Sequence, residues 1–259
     1  MLSRALITAE GIASYLKTDK AYISIFESVD STNTLLKEMA LNGETEGRVI
    51  IALSQTEGRG RYDRKFQSDK GGIYMSILLR PKVLNIDSTL LTAAAAVAVS
   101  DAIEAVSGKN TQIKWVNDIL INNKKVCGIL CEGGFMGCDS FIVVGIGINA
   151  QKSETGFNDE IKDIAGTVFD DNCPAPCERL CAAVIDNLFY QYQSLEKCEF
   201  LNTYRKKSVI LGKKVYILKQ GTIINEGTAL EIDNRCHLKV RLKNGEITTL
   251  SSGEVSVKL

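Results

Sequence analysis

The sequence predicts a chain that mixes helices with strands and ends in a small all-β unit. Three observations carry that reading. Apolar runs of strand length alternate with stretches of helical period through most of the chain. From Lys213 onward the pattern changes to short strands punctuated by Gly221, Gly227, Asp233-Asn234 and Asn244-Gly245, which suggests a barrel of about 45 residues. A chain of 259 residues suits one large domain, or a large domain with a small one.

Residues 8–17 suit a short helix capped by Thr8, with Ile12, Tyr15 and Leu16 on one face, too little for a helix-turn-helix domain. Tyr22–Phe26 alternates as a strand. Asp30-Ser31-Thr32-Asn33 is a cluster of capping residues ahead of Leu35, Leu36, Met39 and Ala40 at helical spacing, and Gly43 stops that helix. Its hydroxyls either cap the helix or face a ligand, and one residue can cap while its neighbour binds. Val49–Leu53 and Ile73–Leu79 are strands around a charged loop, closed by Pro81. Ser88 opens a long helix that Gly108 ends; its alanine-rich face predicts close packing on a sheet.

Ile119–Ile121, the turn Asn122-Asn123 and Lys125–Leu130 read as a hairpin. Phe141–Asn149 is a buried strand with glycines where another group approaches closely. Residues 151–172 read as a polar loop, followed by helices over 176–195 and 198–207. Asn244-Gly245 is the strongest hairpin signal and joins Leu238–Leu242 to Ile247–Leu250.

Composition narrows the function classes. Lys plus Arg and Asp plus Glu balance at 31 each, which removes the basic excess of a general nucleic-acid binder. No run of about 18 apolar residues suggests a membrane span, and Met1–Leu6 lacks the apolar core of a secretory signal. The eight cysteines therefore read as reduced thiols in a cytoplasm. Cys173, Cys177 and Cys181 are four apart, as are Cys127 and Cys131, without the C-x₂-C spacing of common zinc sites. Buried free thiols are the better reading. His237 is the only histidine, which argues against histidine catalysis.

The charged loop runs from Ser54 to Phe66 and interleaves Gly58 and Gly60 with Arg59 and Arg61, then adds Arg64 and Lys65. Glycine allows close backbone approach and arginine offers a planar fork to phosphate or carboxylate. The loop reads either as a clamp for an anionic small molecule or as a solvated surface loop. Trp115-Val116-Asn117-Asp118 is either a structural corner or part of a site. If the strands share one sheet, Arg59, Arg61, Arg64, Lys114 and Lys125 reach a common anion-rich centre.

Taken in order, Asp30–Asn33, Gln55–Phe66, Gly71–Ser76, Lys114–Asp118, Lys125–Leu130, Gly145–Asn149 and Ser252–Val257 resemble the biotin protein ligases. The resemblance covers roughly residues 20–259. It implies an α+β fold: a mixed sheet with flanking helices like that of class II aminoacyl-tRNA synthetases (1–211), then an SH3-like barrel (212–259). It also implies that biotin attacks ATP to give biotinyl-5′-AMP, with Mg²⁺ accompanying the triphosphate, before transfer to a lysine of a biotin carboxyl carrier domain. Lys125, Arg59 and Arg61 would be catalytic. Biotin would be bound by Ser31, Thr32, Asn33, Gln55, Gly58, Arg59, Gly60, Arg61, Trp115, Lys125 and Gly128. ATP would be bound by Arg59, Arg61, Arg64, Phe66, Asn117, Lys125 and Asn149. The loop would order over biotin and the adenylate. A cytoplasmic ligase without a DNA-binding domain, with no membrane or DNA partner and the option of a homodimer, is the implied whole.

Two positions depart from the family pattern. Val116 stands where proline is common and is expected to change stiffness, not donors. Phe66 stands where many members have tryptophan and keeps an aromatic ring without the indole N–H. Other readings are weaker. Gly145-x-Gly147-x-x-Ala150 fits a dinucleotide fingerprint, but no helical period follows it. A lipoate–protein ligase is the enzymatic rival, and an RNA-binding module the non-enzymatic one; charge balance argues against the latter.

Overall fold

The computed structural model describes residues 7–81, 87–136, 139–170, 175–219, 222–251 and 256–258. Cys173, the Gly221 turn and residues 252–255 of the C-terminal motif lie outside them. The strands of the larger part are β1 (Tyr22–Phe26), β2 (Arg48–Ala52), β3 (Ile73–Leu79), β4 (Gln112–Lys114), β5 (Asp118–Ile121), β6 (Lys124–Met136) and β7 (Asp139–Ile148). They form one sheet in the order β1-β2-β3-β7-β6-β5-β4. Only β1 and β2 run parallel among its pairings, so the sheet is mixed. The helices are α1 (Ala9–Ala13), α2 (Thr32–Leu41), α3 (Ser88–Ser107), α4 (Cys177–Gln193) and α5 (Phe200–Lys207).

The sheet is covered on both faces, and all seven residues of β3 are buried. Ile73, Met75, Ile77 and Leu79 join the large core shared with α3, α4 and α5. Leu78 instead packs with Leu36 and Ala40 of α2, Ile50, Phe141 and Val143. Tyr74 and Ser76 share the α2 face by the two-residue period of a strand. That face carries the candidate site.

α3 is the scaffold helix. Asp87 caps it through Thr89 N, and Gly108 closes it in the left-handed region at φ 71°. Six of its alanines, Ala93–Ala96, Ala98 and Ala102, are fully buried, as the close packing expected of them requires. It has the length and apolarity to cross a membrane, but 72% of its most apolar 18-residue stretch is buried inside the protein. α1 is shorter than the 8–17 helix read from the sequence. Thr8 caps it, yet Tyr15 is 52% exposed and shares no buried face with Ile12.

The C-terminal part is an antiparallel sheet of β8 (Lys214–Lys219), β9 (Thr222–Ile232), β10 (Leu238–Leu242), β11 (Ile247–Leu250) and β12 (Ser256–Lys258), ordered β11-β10-β9-β8-β12. Its Val215, Ile217, Ala229, Leu238 and Val240 merge with the main core. The two parts therefore share one apolar interior.

A larger side chain in the alanine face of α3 has no space to enter. Ala96→Leu is expected to lower unfolding free energy by about 1–3 kcal/mol in a urea titration; unchanged stability would show that the helix packs loosely.

Candidate active site

Strand register lines up one row of residues across the sheet. Tyr74 on β3 faces Gly147 on β7, Gly147 faces Gly128 on β6, Gly128 faces Asp118 on β5, and Asp118 faces Lys114 on β4. The next row holds Ser76, Gly145 and Leu130. Directly opposed residues point to the same face. The glycines leave space there. A Cβ on Gly145 would stand 2.2 Å from Asn33 Oδ1, and one on Gly147 would stand 2.7 Å from the Phe66 ring. Asn33 and Phe66 lie directly on the sheet because no side chain stands beneath them.

Lys125 reaches this face through a break in register. Ile119 faces Cys127, but Leu120 faces Lys125, which leaves Val126 as an extra residue. Without that bulge, Lys125 would point to the face opposite Gly128. With it, Lys125 Nζ lies 2.7 Å from Asp118 Oδ1 and 5.7 Å from the Phe66 ring centre. The backbone of Lys125 is held by Ile164 O and Gly166 N, at 2.7 and 2.9 Å.

A chain of hydrogen bonds crosses the α2 end of the site. Gln55 Nε2 donates to Ser68 Oγ (2.9 Å), and Gln55 Oε1 accepts from Thr32 N (2.8 Å) and Thr32 Oγ1 (3.1 Å). The Ser76 hydroxyl lies 2.8 Å from Thr32 Oγ1 and 2.6 Å from Asn33 Oδ1. Asn33 Nδ2 donates to Glu132 Oε2 (2.8 Å), and Lys37 Nζ and Arg59 Nη1 approach Glu132 Oε1 at 3.0 and 3.7 Å. Ser31 caps α2 through Thr34 N, so capping falls to Ser31 while the Thr32 hydroxyl turns inward.

The arginine loop is a small hairpin. Phe66 N donates to Gly58 O (2.8 Å) and Gly60 N to Arg64 O (2.7 Å). At its tip Tyr62 sits at φ 59° beneath the Arg61 guanidinium, 4.8 Å from the ring centre. Arg61 Nη1 donates to Asn117 Oδ1 (3.4 Å), while Asn117 Nδ2 donates to Ile129 O (2.8 Å). The peptide between Trp115 and Val116 is cis.

These elements enclose a cavity of about 290 Å³. Arg59, Arg61, Arg64, Lys65, Lys114 and Lys125 line it, and Asp118 is the one carboxylate among its lining residues. The five cations expected to converge do so. Ser31, Thr32, Asn33, Gln55, Gly60, Phe66, Trp115, Asn117, Gly128 and Asn149 line it as well.

Three of the expected residues also belong to the frame of the site. Gly58 does not line the cavity: a Cβ there would meet Ser68 Oγ at 2.2 Å and Phe66 O at 2.4 Å, so this glycine closes the base of the hairpin. Trp115 lines the cavity, is 3% exposed and donates its indole N–H to Cys236 O (2.9 Å). Asn149 spends its amide N–H groups on Lys125 O and Gly166 O, holding the 161–166 segment against the site. Ile161, Ile164 and Ala165 of that segment line the cavity, and no sequence signal marked them. Tyr74 lines the cavity and Ser76 joins the polar chain, both set on this face by the alternation of β3. Phe66 packs edge-on to Tyr74, 6.4 Å between centres.

Charge environment follows from these contacts. Burial alone would raise the Glu132 carboxyl, but the Asn33 amide and the Lys37 ammonium, aided by Arg59, hold it below its ordinary value. Burial pushes the Cys131 thiol up to about 11 and raises Cys127 as well, so both remain neutral thiols. Among the described residues no cluster of three or more His, Cys, Asp or Glu forms a metal site.

Residues 25–149 match the biotin/lipoate A/B protein ligase family, and residues 210–258 match the biotin protein ligase C terminal domain. A solved biotin protein ligase from Aquifex aeolicus, in complex with biotin and ATP, is 31% identical with a TM-score of 0.78, covering 91% of this chain and 98% of that one. The biotin–[acetyl-CoA-carboxylase] ligase of Mycobacterium tuberculosis is 28% identical over 90% of this chain and 88% of its own length. The bifunctional ligase/repressor BirA of Bacillus spizizenii is 45% identical over 142 residues, 53% of this chain; the match spans less than half of that protein, 43% of its length.

The depressed Glu132 value has a stability consequence. A carboxylate with a lowered folded-state pKa stabilises above its unfolded value, and that contribution is lost as pH falls through the folded value. The stability gap between the parent and Glu132→Gln, from urea titrations, is therefore expected to be full near neutral pH and to shrink below about pH 4.5. A gap constant across that range would contradict the assigned contacts.

Proposed function

We propose that this chain, which belongs to the biotin protein ligase family, activates biotin with ATP as biotinyl-5′-AMP and transfers biotin to a lysine of a biotin carboxyl carrier domain. The observation that carries the proposal is the charge of the cavity: six cationic side chains and one carboxylate surround a space bounded at one end by fixed neutral polar groups. Such a cavity fits two anions, a carboxylate and a triphosphate, better than one neutral substrate. The complex of the similar Aquifex ligase with biotin and ATP supports the same pairing.

The chemistry fits the layout. The carboxylate oxygen of biotin attacks the α-phosphorus, the bond to the bridging oxygen breaks, and pyrophosphate leaves with the electron pair. Negative charge gathers on the phosphorus and the leaving group, where fixed cations stabilise it most. Lys125, held by Asp118 and the 164–166 backbone, is assigned to the carboxylate and α-phosphate. Arg61, held by Asn117, and Arg59, near Glu132, flank the same centre. Arg64 and Asn117 are assigned to the nucleotide phosphates. A neutral lysine of the carrier then attacks the acyl carbon, AMP departs, and an amide forms.

The polar chain Gln55–Thr32–Ser76–Asn33 is assigned to the ureido ring of biotin, since its donors and acceptors are already oriented by one another. Mg²⁺ is proposed to enter with the triphosphate as MgATP. The single carboxylate lining the cavity suits a metal held mainly by phosphate oxygens and water. A homodimer through an edge strand such as β1, and a site of action in the cytoplasm, complete the proposal. A lipoate substrate is the second reading, because the larger family match covers both ligase types; the C-terminal match at 210–258 favours biotin.

Biotin-dependent ATP–pyrophosphate exchange tests the first step. The parent protein is expected to exchange only with biotin present, and Lys125→Ala to lose about a hundredfold or more in rate. Exchange that ignores biotin, or prefers lipoate, would overturn the proposal. Near-parent exchange by Lys125→Ala would overturn the role given to Lys125.

A further inference from the structure

Residues 115–118 supply Asn117, which holds Arg61, and Asp118, which holds Lys125. The segment itself is fixed from behind by two hydrogen bonds. The Tyr204 hydroxyl on α5 donates to Val116 O at 3.0 Å, and the Trp115 indole donates to Cys236 O in the turn between β9 and β10 at 2.9 Å. Tyr204 is 0% exposed, so the Val116 carbonyl has no ready exchange with water if that hydroxyl is lost. From these contacts we infer that Tyr204 is a positioning residue for adenylate formation, acting through Val116 on the Asn117–Arg61 and Asp118–Lys125 pairs.

The anchor is itself rigid. The neighbouring Arg205 donates from Nε to Ile232 O and from Nη2 to Asn234 Oδ1, both at 2.8 Å, which ties α5 to the C-terminal sheet. One turn on, Lys207 Nζ contacts Asp101 Oδ1 (2.8 Å) and Glu104 Oε2 (2.9 Å) of α3. α5 thus grips the C-terminal sheet and the scaffold helix while its phenol reaches the back of the site. The polar chain assigned to biotin lies on α2, β3 and the loop start, and among the described residues the Tyr204 hydroxyl hydrogen-bonds to Val116 O and to none of that chain. The positioning role is therefore specific to the centre where the carboxylate meets the phosphate.

This inference rests on the adenylation reading, and the experiment separates the two. Steady-state biotin-dependent pyrophosphate exchange is measured for the parent and for Tyr204→Phe, together with urea stability and the emission spectrum of Trp115, the only tryptophan in the chain. Tyr204→Phe is expected to lower kcat by about tenfold, the scale of one hydrogen bond to a buried group. It should leave KM for biotin within about twofold and shift the tryptophan emission. A purely structural role would lower stability while leaving kcat unchanged, and that result overturns the inference, as does a rise in KM for biotin equal to the fall in kcat. A parent without biotin-dependent exchange would instead refute the adenylation reading. Should Tyr204→Phe not fold, Trp115→Phe removes the companion hydrogen bond from the same segment. It carries the same expectation of a kcat-selective loss, and a parent-like kcat in that variant overturns the inference.

Discussion

The space left at Gly145 and Gly147 on β7 governs the whole cavity. Because no side chain rises from these two positions, Asn33 settles onto one and Phe66 onto the other. Asn33 then orders the polar chain of Ser76, Thr32 and Gln55 at the start of α2. Phe66 pins the return of the arginine hairpin and offers its face to Lys125. A methyl group at either glycine would displace the side chain that everything nearby is packed against. The glycines contribute no chemistry, yet the groups that do are placed by their absence of bulk.

Above that floor the site gathers positive charge and balances it only in part. Asp118 meets Lys125 and Glu132 meets Lys37 and Arg59, while Arg61 is held through a neutral amide. Asp118, which fixes Lys125 without neutralising the cavity, keeps that cation ordered before an anion arrives. Ordering in advance reduces the reorganisation needed during reaction. The same logic extends to the rear wall, where a phenol and an indole fix the segment that carries Asn117 and Asp118.

Much of this was legible in the sequence, for local reasons. Capping residues at 30–33 announced α2, the alanine face of α3 announced tight packing, and the glycines of 145–147 announced a close approach. The convergence of Arg59, Arg61, Arg64, Lys114 and Lys125 followed once the strands were placed in one sheet. What stayed hidden depended on register and long-range contact. A bulge at Val126 decides which face Lys125 takes, and strict alternation carries no sign of it. The partner of the Trp115 indole N–H is Cys236 O, more than a hundred residues away. The 161–166 segment reads as an ordinary polar loop and becomes a cavity wall only through Asn149 and the Lys125 backbone.

The central claim is that this cavity joins a carboxylate to an α-phosphate and retains the product. Native mass spectrometry of the purified protein, incubated with biotin and MgATP and no carrier, tests it most directly. The account requires one biotinyl-5′-AMP retained per chain, formed only when both substrates are supplied. Separate binding of biotin and ATP with no adenylate, or an adenylate formed from lipoate in preference to biotin, would contradict it.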